Sequence, residues 1–326
     1  MWKKRPLLAL ALGLAAVHAT TAVAAEADDY PSQPIRLIVP FAPGGGADTT
    51  ARMIADPLGK ALGQTVVVEN RPGAGATIGA GYVARAKPDG YTLLYTTPGP
   101  QMTNPYLMKS LPYDPAKDLV AVSRIAVVPS VLVVAKSLEV DSVKGLIDYA
   151  RAHPHEVKFA SAGIGASSHL AGELFRTMAD VQIDHVPYKG TGEALRDVLG
   201  GRVDMAIDSV TVYLPHIAAG SVKALGVTTP EPLPMLPGGP PIAEQLAGFD
   251  ASPVNYLSAP AGTPPQVIDK LHAALVEVLQ DADLRERMMK AGLLPQANTP
   301  AEMAALVESE SAKWRKVIKA AGIEPQ

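Results

Sequence analysis

The chain has 326 residues, 29 Lys and Arg against 32 Asp and Glu for a formal net charge of −3, and no cysteine. Without cysteine there are no disulfides, no thiolate nucleophile and no cysteine zinc site. Mild acidity with no block of like charges argues against nucleic acid or an anionic membrane as partner.

The first 25 residues read as an address. Lys3, Lys4 and Arg5 precede an apolar run, Leu7–Val17, and Ala22-Val23-Ala24 supplies small residues, so cleavage is expected after Ala24 or Ala25. The apolar run is shorter than the about 20 residues that span a bilayer. Removing its three positive charges takes the formal net charge from −3 to −6. A lipid anchor would need a cysteine at the cleavage site, so the expectation is an untethered protein exported to the periplasm. The remaining length is enough for two sizeable cores.

Strand-like and helix-like runs then alternate. Ile35–Val39, Val66–Glu69 and Thr92–Thr96 read as strands, with helices Ala47–Ala61 and Ala76–Ala86 between them. Pro57 is expected to kink or shorten the first of these helices. A second set follows the joint near Val120–Pro129. Its strands are Val131–Ala135, Val157–Ser161, Asp184–Pro187, Asp204–Asp208 and Val222–Val227. Between them fall the helices Val143–Ala152, Ser167–Met178, Glu193–Gly200 and Val212–Ala219. After Val254–Ala259 come three amphipathic helices, Pro264–Leu279, Asp283–Ala291 and Pro300–Ala321, read as packing elements. Short strands joined by crossover helices predict parallel sheets covered on both faces, in two lobes with a twice-crossed hinge. Ligands of such sheets bind beyond the C-terminal strand ends, which places one between the lobes.

Four glycine loops sit at such ends: Pro40–Asp48, Arg71–Gly81, Ser161–His169 and Tyr188–Glu193. Backbone without Cβ approaches a ligand closely, and a helix N-terminus behind it favours an anion. Among these loops only Arg71 and Lys189 are cationic, which suits a singly charged carboxyl group better than a phosphate.

The candidate residues each carry a second reading. Asp48 orders water at a ligand or caps the helix it enters. Ser167 and Ser168, with Gly163 and Gly165 upstream, contact an anion or serve as caps. His169 faces a ligand or is a satisfied core group, and Asp208 and Ser209 are ligand groups or a helix cap. Gly79-x-Gly81-x-x-Ala84 matches the dinucleotide fingerprint but stands too far from its strand and lacks the partner acid, so no cofactor is expected. His153 and His155 flank a turn proline, and no metal is expected there. No G-x-S-x-G or S-x-x-K occurs, and the adjacent Ser168 and His169 point about 100° apart on a helix, so a hydrolase is the weak alternative.

Seven motifs stand in the order of a known family: Pro40-Phe41-Ala42-Pro43-Gly44-Gly45-Gly46-x-Asp48, Glu69-Asn70-Arg71-Pro72-Gly73-Ala74-Gly75, Lys87-Pro88-Asp89-Gly90-Tyr91-Thr92-Leu93, Leu111-Pro112-Tyr113-Asp114, Gly163-x-Gly165-x-Ser167-Ser168-His169-Leu170, Pro187-Tyr188-Lys189-Gly190 and Ala259-Pro260-Ala261-Gly262-Thr263-Pro264. Together they resemble the solute receptors of tripartite tricarboxylate transporters, the Bug family, over nearly the whole mature chain. The resemblance implies an α/β, two-lobed, type II periplasmic-binding-protein fold that closes like a flytrap. Each lobe would be a mainly parallel sheet flanked by helices, with two crossing hinge strands. The expected division is 26–125 with 252–326 in the first lobe and 126–251 in the second. The resemblance also implies a monomeric receptor, not an enzyme, for a small organic carboxylate. Ala42, Gly44, Gly45, Asp48, Ser167, Ser168 and His169 would hold it, partly through water. Delivery would be to a permease of two membrane subunits; a sensor feeding a membrane signalling protein would use the same pocket. Three stretches depart from the family: Thr228-Thr229-Pro230-Glu231-Pro232 replaces an arginine-bearing segment, Asn255-Tyr256 stands where a Trp is common, and Thr96-Thr97-Pro98-Gly99-Pro100 is rich in proline. They bear on the pocket wall, Thr97 included.

Overall fold

The computed structural model describes residues 30–325, and the expected signal segment and cleavage site lie outside them. Among the described residues, no helix is long and apolar enough to cross a membrane.

Among the described residues, eleven strands form two sheets. The first contains β1 (Ile35–Val39), β2 (Val66–Asn70), β3 (Thr92–Thr96), β4 (Leu119–Val127), β10 (Val254–Pro260) and β11 (Leu294–Pro295), in the order β11-β4-β10-β3-β1-β2. The second contains β5 (Ser130–Ala135), β6 (Lys158–Ser161), β7 (Asp184–Pro187), β8 (Met205–Ser209) and β9 (Val222–Val227), in the order β7-β6-β8-β5-β9. The chain passes from one sheet to the other between Val127 and Ser130 and returns before Val254. The mainly parallel sheets expected from the crossover pattern are in fact mixed. Pairs β1–β2, β1–β3, β6–β7 and β6–β8 are parallel, whereas β10 runs against β3 and β4, and β5 against β8 and β9. Crossover helices dictate parallel neighbours. Strands that carry the chain between lobes take the direction of the crossing instead.

The helix after β1, Gly46–Leu62, runs through Pro57 and stops at left-handed Gly63. Proline inside a helix costs about 3 kcal/mol. Here Ile54, Leu58 and Leu62 on one face are buried with Leu37, Leu93, Leu271 and Leu275, and each such side chain returns about 1.5–3 kcal/mol. Burial therefore overrides the expected shortening.

The last helix, Pro300–Ala320, starts at a reciprocal cap between Thr299 and Glu302. Expected with the first lobe, it packs against β4 and also against the second-lobe helix Ser167–Ala179. Its Trp314, Val317 and Ile318 share one apolar core with Phe175 and Phe249, which ties the chain end to both lobes.

Candidate functional site

A cleft of about 1220 Å³ lies between the lobes, at the C-terminal ends of β1, β3 and β8. The lobes touch across it. A Cβ added at Gly165 would stand 3.1 Å from Leu107 Cδ1, and one added at Gly292 would overlap the Thr211 methyl.

Among the described residues, three helices of nine residues or more begin at this cleft, and none has a side-chain cap. They are Gly46–Leu62, Ser167–Ala179 and Val210–Ala218, with Gly45, Ala166 and Ser209 at their N-caps. The first N–H groups of a helix have no partner inside it, and the helix dipole adds positive potential there. Gly45, Gly46, Ala47, Ala166, Ser167, Ser209 and Thr211 all line the cleft. Among the described residues no Lys or Arg does, and Asp208 is its only ionisable side chain. Burial raises the Asp208 carboxyl above the usual carboxylate range, opposed by the Ser209 N–H at 2.7 Å and the Thr191 hydroxyl at 2.9 Å.

Of the residues singled out in the sequence, Ala42, Gly44, Gly45, Thr97, Ser167 and Asp208 line the cleft. Asp48, Gly163, Ser168 and His169 stand behind it and shape the loops. Asp48 is buried and accepts from Gly44 N at 2.8 Å, from Arg52 Nε at 3.0 Å and from Asn70 Nδ2 at 2.9 Å. Gly44 has a positive φ of 81°, so this brace holds a turn that a side chain would strain. The Arg52 guanidinium, then the Gly44 N–H, bring the Asp48 carboxyl down to about 2.

The second-lobe loop is braced in the same way. Ser168 Oγ accepts from Ala162 N at 3.0 Å, and His169 Nδ1 accepts from Gly165 N at 3.0 Å. Gly163 donates to Ser161 Oγ at 3.1 Å and accepts from Ala166 N at 3.1 Å. Of the four glycine loops, Tyr188–Glu193 contributes nothing to the cleft lining; its Thr191 instead holds Asp208.

Several lining residues escape sequence reasoning, among them Thr49, Asn104, Ser130 and Thr211. Asn104 donates to Gly75 O at 2.8 Å, a contact set by a wide helical turn at Gly99–Thr103 that leaves no periodic signal. Of the departures, Thr97, Pro98, Gly99 and Asn255 line the cleft. Thr229–Pro232 instead line an adjoining cavity at the hinge with Arg124. Gly79 and Gly81 lie inside the helix Thr77–Ala84. His155 pairs with Asp184 and His153 with Glu156, both near the surface.

Residues 50–323 match the family described as the tripartite tricarboxylate transporter family receptor. The chain belongs to that family. BugT of Bordetella pertussis is 38% identical over 313 residues, spanning 95% of this chain and 96% of that protein. Among solved structures, Rpa4515 of R. palustris with adipate is 40% identical with a TM-score of 0.75, covering 91% of this chain and 100% of the other. MatC of Rhodopseudomonas palustris with bound malate is 33% identical with a TM-score of 0.70, covering 89% and 100%. The receptor family and these neighbours make this chain a solute-binding receptor of the periplasmic two-lobed α/β type and not an enzyme.

Proposed function

We propose that this receptor is exported with cleavage after Ala24 or Ala25, binds a small organic carboxylate as a monomer and hands it to a permease of two membrane subunits. The single observation that supports the ligand class is the meeting of three uncapped helix N-termini in a cleft whose lining, among the described residues, holds no cation. Amide and hydroxyl donors suit a carboxylate, which needs few charges to be held when backbone N–H groups are aimed at it. The adipate and malate bound to its relatives fit that reading. One carboxylate would sit against Gly44–Ala47 and Ala166–Ser167, and Thr97 would form part of the wall. Asp208, across the cleft, would accept from a hydroxyl or ammonium group on the ligand.

A thermal-shift panel of adipate, malate and aspartate tests this. A ligand at 100 times its Kd adds about 2.7 kcal/mol, which raises the melting temperature by about 5 °C for a chain of this size. At least one of the three is expected to do so and to be recovered unchanged after long incubation. No shift with any carboxylate, or steady conversion of one, overturns the proposal.

A further inference from the structure

Behind the second-lobe loop two imidazoles lie face to face. His169, in the first turn of the helix Ser167–Ala179, and His185, on β7, stack with centroids 3.8 Å apart and planes 14° apart. Phe159 of β6 stacks on the His185 ring at 4.8 Å. Each ring reaches the loop through one nitrogen. His169 Nδ1 takes the Gly165 N–H at 3.0 Å, and His185 Nε2 lies 2.6 Å from Ser161 Oγ, the oxygen that also accepts from Gly163 N. A backbone N–H only donates, so Nδ1 of His169 carries its lone pair and the neutral ring bears its proton on Nε2. That nitrogen stands 3.7 Å from Glu173 Oε1, while the other Glu173 oxygen holds Arg176 at 2.7 Å.

This leaves the loop with one form compatible with its bonds. A proton on Nδ1 would remove the acceptor of Gly165 and place a cation against the second ring. Gly165, Ala166 and Ser167 all line the cleft, so the loss would fall on the ligand-binding surface.

We propose that the His169–His185 pair is the positioning element of the second-lobe loop, holding it in its ligand-binding form through the bare Nδ1 of His169. The inference rests on the carboxylate reading above. The charged groups facing the pair are Glu173 and Arg176 on the helix of His169, Lys109 from the segment before β4, and Glu324 from the C-terminal tail. Burial first, and then Arg176, push His169 down to about 4; burial and then His169 push His185 down to about 4. Both folded values lie below the ordinary 6.5. The neutral form therefore persists from neutral pH to about pH 5, and the positioning is lost as pH falls toward 4.

Two substitutions separate positioning from packing. His169→Phe keeps the stacked ring and removes the acceptor; His169→Asn offers an amide oxygen to Gly165 N. With adipate as probe in calorimetric titrations at pH 7.5, His169→Phe is expected to bind at least tenfold more weakly and His169→Asn within threefold of the parent. Below pH 5 the parent should lose affinity more steeply than His169→Asn, a comparison that cancels the titration of adipate itself. In the ligand-free protein, hydrogen exchange at the Gly165 amide should quicken at least tenfold in His169→Phe and stay near parental in His169→Asn. Equal losses in the two variants, or parental binding by His169→Phe, overturn the inference. If the parent takes up neither adipate nor any other carboxylate, the carboxylate reading falls, and the exchange rates alone decide the positioning.

Discussion

Replacing Gly45 by valine separates the ligand from the fold. Gly45 has φ −76° and ψ 168°, extended backbone open to any residue, and a Cβ there meets only Ala42 O at 3.5 Å, an ordinary contact. The fold is therefore expected to tolerate the change, which adds an isopropyl group to a residue that lines the cleft next to Gly46 and Ala47. A hydrogen bond to a charged acceptor contributes roughly 1.5–3 kcal/mol. Losing one such contact weakens binding about 10- to 100-fold, since about 1.4 kcal/mol is one decade. Calorimetric titration with adipate, alongside thermal melts followed by circular dichroism, measures both sides. Gly44→Ala is the counterpart. Its φ of 81° makes a side chain cost about 1–2 kcal/mol of stability, or a melting point lower by several degrees. The reasoning fails if Gly45→Val binds as the parent does, or if it melts below Gly44→Ala.

The two neighbouring serines should part company in the same assays. Ser167→Ala is expected to lower affinity roughly tenfold with its melt unchanged, whereas Ser168→Ala strands the Ala162 N–H and costs about 1–3 kcal/mol of stability. For Asp48, the folded carboxyl sits at about 2, below its unfolded value near 3.9, so its stabilisation is present above about pH 4 and lost as pH falls to 2. Asp48→Asn should flatten that part of the acid-unfolding curve; parallel curves for parent and variant over the same range would refute the brace.

Much of the fold is legible in the chain. Ile35–Val39, Thr92–Thr96, Val222–Val227 and the helix Val143–Ala152 have the same ends in sequence and structure, because short apolar runs and a 3.6-residue period are bounded there by turn residues. Strand β4 is not legible in this way. Ser123 and Arg124 interrupt its apolar pattern, and it forms because β10, far along the chain, supplies its partner, with two register shifts. Non-local pairing makes both sheets mixed, β10 running against β3 and β4 in one and β5 against β8 and β9 in the other.

The sequence by itself determined that glycine loops would stand between strands and helices, and in what order, because glycine and proline act on the backbone where they occur. It also determined that no cysteine chemistry is available. Which polar groups face the cleft was decided only by the tertiary structure. Ser167 lines the cleft, while Ser168 and His169, next to it in the chain, turn inward to Ala162 and Gly165. Successive residues on a helix point about 100° apart, so the packing of that helix against its loop selects one neighbour for the ligand and gives the others to the backbone. Asp48 follows the same physics: its carboxylate is consumed by Gly44, Arg52 and Asn70, brought together only when β1, β2 and the first helix pack.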